Sequence, residues 1–226
     1  ARDELSLDPL QPWDAAYDGY QLGHFPGPFL EWNDRFRDAA RSYWLGTGVS
    51  RGEFARRFTA SSDVFHHGRR SPLASVNFVA CHDGFTLADL TTYAKKHNHA
   101  NGEDNRDGRD GELCANFGAE GPTEDAQINA TRERVRRAML ATLLLAQGMP
   151  MLCAGDEIGN SQGGNNNAYC QDNALTWLNW DVADDSLTEL VAELLALRAA
   201  EPLLRHPRWF AAGTAEASIA WYGPSG

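Results

Sequence analysis

Cysteine is scarce in this 226-residue chain and badly spaced for shared chemistry. Cys81, Cys114, Cys153 and Cys170 form no CxxC pair, and Cys81 and Cys153 fall in apolar runs where a thiol behaves as a small hydrophobe. They read as the reduced thiols of a cytoplasmic protein. A basic excess is missing too: 20 Lys and Arg stand against 31 Asp and Glu, a net charge of −11, which argues against nucleic acid or an anionic membrane as a partner. Long apolar runs are absent. The longest, Ala138 to Ala146, is broken by Thr142 and falls far short of the roughly 20 residues of a membrane span. No metal or cofactor is expected. His97 and His99 lack a third ligand, adjacent His66 and His67 read as surface, and the calcium-loop pattern starting at Glu103 fails at its twelfth position, Cys114. The chain opens on Ala1 with no secretory-signal pattern, which predicts a processed chain or an excised fragment.

What is present is a hydrophobic content of 42%, enough for a sizeable core, on a chain shorter than the about 250 residues of a complete eight-stranded α/β barrel. Ser75 to Val79 is a short β-branched and aromatic run that passes directly into His82 and Asp83, with Gly84 ending it. This reads as a buried strand ending in ionisable residues, where parallel α/β folds place their ligand sites; the alternative is a β-turn whose Asp bonds its own backbone. Asp125 to Gln147 then shows a helical period at Val135, Met139 and Leu143, stopped by Gly148 and Pro150. Met151 to Ala154 follows as an apolar strand running into Asp156 and Glu157, so strand and helix alternate as in a parallel sheet or barrel. Other expected elements are a strand over Phe29 to Trp32, a helix to Leu45 burying Phe36, Ala40, Tyr43 and Trp44, and a helix over about Ser186 to Ala199. Ser218 to Tyr222 is a further candidate strand.

Three loops carry recognition chemistry. Residues 1 to 28 are rich in aromatics, Trp13 among them, whose faces suit sugar rings but can equally cap a core. Lys95 to Glu124 is a polar stretch too long for a simple connection. Asn160 to Asn173 is dense in side-chain amides, including Asn165, Asn166 and Asn167, which can donate to and accept from neutral hydroxyls or else serve a glycine-flanked turn.

Five stretches, taken together and in order, resemble the α-amylase superfamily of glycoside hydrolases, in particular its glycogen-debranching and isoamylase branch. They are Pro12-Trp13-Asp14 with Gly19-Tyr20-Gln21, the run Phe29 to Arg37, the run Ala60 to Phe65, His82-Asp83-Gly84-Phe85-Thr86-Leu87, and Gly155-Asp156-Glu157 followed by Gly164 to Asp172. The resemblance implies an α/β fold, the C-terminal half of a (β/α)8 TIM barrel with strands five to eight in residues 1–203, and the start of a C-terminal β-domain in 204–226. It implies that Asp83 is the transition-state stabiliser, and that His82, Trp13, Asp156, Asn165, Asn166 and Asn167 bind substrate.

The sequence departs from the family where the reaction needs it most. Retaining hydrolysis requires a carboxylate nucleophile and a carboxylic acid about 5 to 5.5 Å apart. The general-acid Glu of the family aligns with Gln11, whose amide keeps the shape but cannot act as the acid, and the nucleophile's motif falls before Ala1. The expectation is therefore a glycogen-debranching α-1,6-glucosidase, acting on glycogen or limit dextrin, in a chain incomplete for catalysis. Its partners would be the missing N-terminal half or a second copy of the chain. The alternatives are a non-catalytic α-glucan-binding module or an inactive fragment.

Overall fold

A computed structural model describes residues 9–14, 17–210 and 219–222. Four short strands, β1 (Pro9–Leu10), β2 (Leu30–Asn33), β3 (Ser75–Asn77) and β4 (Met149–Pro150), form one sheet in chain order. All three pairings are parallel, and their register sets Glu31 beside Ser75, Trp32 beside Val76 and Asn33 beside Asn77. The alternating α/β order expected from the sequence is thus present.

Asn33 ends β2 and starts the next element. Its side chain accepts the Phe36 N–H as the cap of α1 (Asp34–Leu45), which stops where Gly46 turns left-handed at φ 72° and bonds back to the Ser42 and Tyr43 carbonyls. Next come α2 (Arg51–Phe58) and the single turn α3 (Ser62–Phe65) before β3, then the short α4 (Leu87–Leu90). The long α5 (Ala126–Leu145) is capped by Asp125, and α6 (Asp185–Ala200) by Asp184. One core cluster joins Phe36 and Ala40 of α1 to Phe85, Leu87 and Leu90 around α4, to Met139, Leu140 and Leu143 of α5, and to Leu187 and Val191 of α6. Helices α1, α4, α5 and α6 therefore share their apolar faces, and the loops above the sheet rest on that layer.

Several boundaries differ from the sequence reading for local reasons. β4 lies two residues before Met151: the Met151 N–H still reaches the Asn77 carbonyl at 2.8 Å, but the Cys153 carbonyl is taken by the Asp156 N–H, which bends the chain away. Tyr43 and Trp44 are half-buried; they pack against Phe54 of α2, and the buried face of α1 carries Arg37 and Arg41 in their place. Of the candidate strand near the C-terminus, Ser218 lies outside the described residues and 219–222 is irregular. Residues 206–209 bond to the segments that enter the strands: Gln147 Nε2 donates to the His206 and Arg208 carbonyls, and the Trp209 indole to the Arg70 carbonyl.

Arg198 of α6 secures the approach to β4. Its buried guanidinium donates to the Leu144 and Ala146 carbonyls at 2.9 and 2.7 Å and to the Gly148 carbonyl, filling the open C-terminal end of α5. Arg198→Ala leaves three carbonyls without these charged donors, so chemical denaturation should register a loss of about 2–4 kcal/mol.

Candidate functional site

Segments leaving the C-terminal ends of the strands surround a cleft of about 350 Å³. Gln11 and Trp13 come from the loop after β1, Trp32 from β2, Arg37 from the first turns of α1, and Cys81, Asp83 and Gly84 from the turn after β3. Gly108, Arg109, Asn166 and Asn167 complete the wall from the two long polar loops. Phe78, fully buried, supports this wall from below. The Trp13 ring stacks on it at 6.4 Å, Trp32 tilts against it at 5.8 Å, and the Arg37 guanidinium lies 5.6 Å from its centre.

Asp83 and His82 stand at the rim with their side chains about two-thirds exposed, His82 Nε2 lying 3.4 Å from Asp83 Oδ2. The His82 ring meets the edge of Trp32 at 5.8 Å. The turn that presents them is held by its backbone. The Cys81 thiol donates to the Asp83 carbonyl at 3.4 Å, the Gly84 N–H to the Asn166 carbonyl at 3.0 Å, and the Phe85 N–H to Glu112 Oε1 at 3.0 Å. Gly84 is required here: its φ is +120°, and a Cβ would sit 2.4 Å from Glu112 Oε1.

The amide-rich run is used mainly to clamp loops together. Asn98 and Asn166 exchange two hydrogen bonds, Nδ2 to Oδ1 at 2.9 Å and Oδ1 from the Asn166 N–H at 3.0 Å. Asn165 Nδ2 donates to Asn101 Oδ1, and both Asn101 and Asn167 donate to Asp107 Oδ2. Gly108, at φ +73°, leaves the space that Asn98 and Asn166 fill. Of the three asparagines expected to bind substrate, Asn166 and Asn167 line the cleft and Asn165 does not; Asn165 and Asn166 are both buried, with their amides engaged in the clamp. Farther along, burial opposes the charge of Glu120, but hydrogen bonds from His97, the Ala94 N–H and Asn116 outweigh it and hold its carboxyl down at about 2.

Asp156, also expected at the substrate, lies beneath the site. It is 1% exposed; Oδ1 accepts the Leu87 N–H at 2.9 Å, and Oδ2 is a buried oxygen without a partner. Burial raises its carboxyl to about 7, against the lowering pull of the Leu87 N–H and Arg41. Its neighbour Asp89 is raised by burial as well, and accepts from Ser161 and the Gln162 N–H, tying α4 to the amide-rich loop. All four cysteines are unpaired, and burial lifts the thiols of Cys114 and Cys153 to about 11 and 12 and that of Cys81 upward, so these three stay protonated and poorly nucleophilic.

The structure therefore brings Gln11, Trp13, Asp83, Asn166 and Asn167 to one cleft, sets His82 at its rim, and leaves Asp156 and Asn165 out of it. Trp32, Arg37 and Arg109 line it without having been anticipated. A signal existed for Arg37 and for Arg41 behind it: two arginines four apart on the apolar face of an amphipathic helix have to find partners at its buried side. A larger cavity, about 1000 Å³ and lined by Tyr43, Phe54, Trp209 and Trp221, lies near where the strands begin and holds none of the predicted site residues.

The sign of the Asp156 shift gives a test. Its folded value near 7 exceeds the ordinary value of about 4, so between those pH values the folded chain keeps a proton that the unfolded chain has lost, and stability falls as pH rises through that window. Asp156→Asn cannot titrate. Denaturation midpoints of the two proteins should shift in the variant's favour between pH 4 and pH 7, all other groups being common to both.

No family model matches the chain. In sequence it is 54% identical over 216 residues to a glycogen debranching enzyme of Serratia proteamaculans, covering 96% of this chain and 32% of that protein. It is 56% identical over 200 residues to a glycogen debranching enzyme of Dickeya chrysanthemi, covering 88% of this chain and 30% of that protein. In structure it is similar to a pullulanase from Anoxybacillus sp. LM18-11 solved with maltotetraose, with a TM-score of 0.64 at 22% identity over 88% of this chain and 27% of the other. The pullulanase from Bacillus acidopullulyticus gives a TM-score of 0.64 at 18% identity, covering 89% of this chain and 23% of the other. The chain thus spans about a third of the length of the curated relatives it matches. Over that third it is similar in sequence to glycogen debranching enzymes, and it shares the α/β fold of the corresponding part of the pullulanases.

Proposed function

We propose that this chain is the C-terminal half of the catalytic barrel of an α-glucan debranching enzyme, one that hydrolyses α-1,6 branch linkages in glycogen or limit dextrin. The observation that carries this reading is the gathering of Gln11, Trp13 and Asp83 round one cleft at the C-terminal ends of parallel strands. Similarity to proteins named for debranching supports it, as does similarity of fold to a pullulanase solved with a maltooligosaccharide. In the proposed roles Trp13 supplies an apolar face for a glucose ring. His82 and Asp83 bond hydroxyls of the ring at the cleavage point, and the Asp83 charge strengthens its interaction as the oxocarbenium forms. Asn166 and Asn167 contribute from the wall what their clamping bonds leave free.

The chain is incomplete for the reaction. Among the described residues lining the cleft the one carboxylate is Asp83, and Gln11 lines it as well; we assign Gln11 to the acid's place. We assign the nucleophile to the part of the longer relatives that this chain does not span. β1 and β4 each have one strand partner among the described residues, so we assign strands five to eight to this chain and the closing strands to a companion half or to a second copy. In this assignment residues 204–226 open a C-terminal β-domain, and the protein works in the cytoplasm, where unpaired thiols persist. Sedimentation of the purified chain should show association, because the edge strands β1 and β4 recruit a partner; a cooperatively melting monomer contradicts the half-barrel assignment.

A second reading follows from Gln11 itself: an amide where the acid should be suits a glucan-binding module that performs no hydrolysis. Release of linear oligosaccharide from a branched limit dextrin separates the two. The chain by itself should give no turnover. Joined to a polypeptide covering the rest of the barrel, Gln11→Glu should raise kcat by about 10² to 10⁴-fold, the usual worth of a positioned general acid. Robust turnover by the unaltered chain would overturn the incomplete-site reading, and maltooligosaccharide binding with no turnover even in the Gln11→Glu assembly would favour the binding module.

A further inference from the structure

We propose that Glu112, acting with Arg41, is the positioning residue of the cleft, a staple that fixes the turn carrying Asp83. Glu112 belongs to the long polar loop between α4 and α5, yet its side chain is 4% exposed. Three elements donate to it: Arg41 Nη1 of α1 at 2.8 Å, the Phe85 N–H at 3.0 Å, and Asn166 Nδ2 of the amide clamp at 3.1 Å. Arg41, with a side chain 2% exposed, sends its Nε to the Val79 carbonyl at 2.7 Å. One ion pair therefore grips the chain at Val79 and again at Phe85. The segment spanned between them holds Cys81, His82, Asp83 and Gly84, and three of these four line the cleft.

Stability alone does not account for such a pair. Burying two charges costs several kcal/mol per ion before their attraction is counted, and apolar residues of similar volume commonly do as well or better. Arg41 Nη2 is also left without a partner. What the pair supplies is geometry: carboxylate and guanidinium planes fix two backbone groups at set directions, and Gly84 lets the carboxylate approach where a Cβ would collide. Glu112 itself lines a second, smaller cavity behind the cleft, so it acts on any ligand through Asp83 and not by contact.

That the placement of Asp83 serves a glucan rests on the function proposed above; the placement itself does not. The test uses the full chain with Glu112→Gln, Asp83→Ala, the double variant, and Arg41→Lys. Its readouts are maltotetraose calorimetry and site-resolved amide hydrogen exchange. Arg41 and the Phe85 N–H share Oε1 while Asn166 Nδ2 donates to Oε2, so Glu112→Gln sets an N–H2 against one of these donors and replaces the charged acceptor of Arg41 and Phe85 with a neutral one, which weakens both grips. Glu112→Gln should therefore weaken maltotetraose binding about tenfold and add nothing in the Asp83→Ala background. Exchange should quicken at the Gly84 and Phe85 amides while α5 and α6 keep their protection, with the same local pattern in Arg41→Lys. Losses that multiply in the double variant, unchanged exchange at Phe85, or loss of protection throughout α5 and α6 in both Glu112→Gln and Arg41→Lys would each overturn the positioning role. Failure of the unaltered chain to bind maltotetraose would sink the glucan reading instead, with local exchange still deciding the role of Glu112.

Discussion

A buried hydrogen-bond ladder on one face of the sheet determines where everything else falls. Asn33 Nδ2 donates to the hydroxyls of Ser61 and Ser75 at 2.8 Å, Ser75 donates to Asn77 Oδ1 at 2.7 Å, and Asn77 Nδ2 donates to the Gln147 carbonyl at 2.9 Å. Asn33, Ser61, Ser75 and Asn77 have no measurable exposure, so each donor or acceptor left unmade would cost about 1–3 kcal/mol. Slipping β2 by one residue against β3 would put Trp32 where Asn33 belongs and break the chain of bonds at its centre. With the register fixed, Trp32 falls on the other face beside Phe78, and Asn33 is free to cap α1. Short strands of two to four residues need such a device, because their ladders alone carry few bonds.

Above the sheet the loops are held in the same way. Polar side chains that would ordinarily face water are turned inward and paired: Asn98 with Asn166, Asn101 with Asn165, Asp89 with Ser161, Glu112 with Arg41. These pairs replace secondary structure over the stretch from Lys95 to Glu124, which holds one short helical turn, at His99–Asn101. The outcome is a rim made of hydrogen-bonded loops, with exposed ionisable groups at His82 and Asp83 and buried ones at Asp156 and Asp89. Burial makes Asp156 and Asp89 harder to ionise, so their chemistry serves the placement of Leu87 and of the amide-rich loop.

The strand and helix order was readable because β-branched runs and helical periods are local: α1, α5 and α6 lie within a residue or two of where their patterns place them. The His82-Asp83-Gly84 turn was readable for the same reason, since a strand ending in charge and glycine is a local signal. Strand ends were less readable. β4 ends early because the Cys153 carbonyl is claimed by Asp156, a choice that periodicity does not encode. The division of labour among the asparagines was not readable either. Asn165, Asn166 and Asn167 have the same side chain, and only the partners brought by the distant Asn98, Asn101 and Glu112 separate clamp from wall. Glu112 was invisible for a related reason: it stands in a polar stretch among many carboxylates, and its burial follows from Arg41, 71 residues away.

If the strand C-terminal cleft is the glucan site, a sugar must be found there and not in the larger aromatic cavity at the opposite ends of the strands. A crystal structure of the chain grown with maltotetraose answers this directly. The account predicts a glucose ring against Trp13 with hydroxyls on Asp83 and His82. Sugar bound between Phe54, Trp209 and Trp221, with the cleft around Asp83 empty, would contradict it.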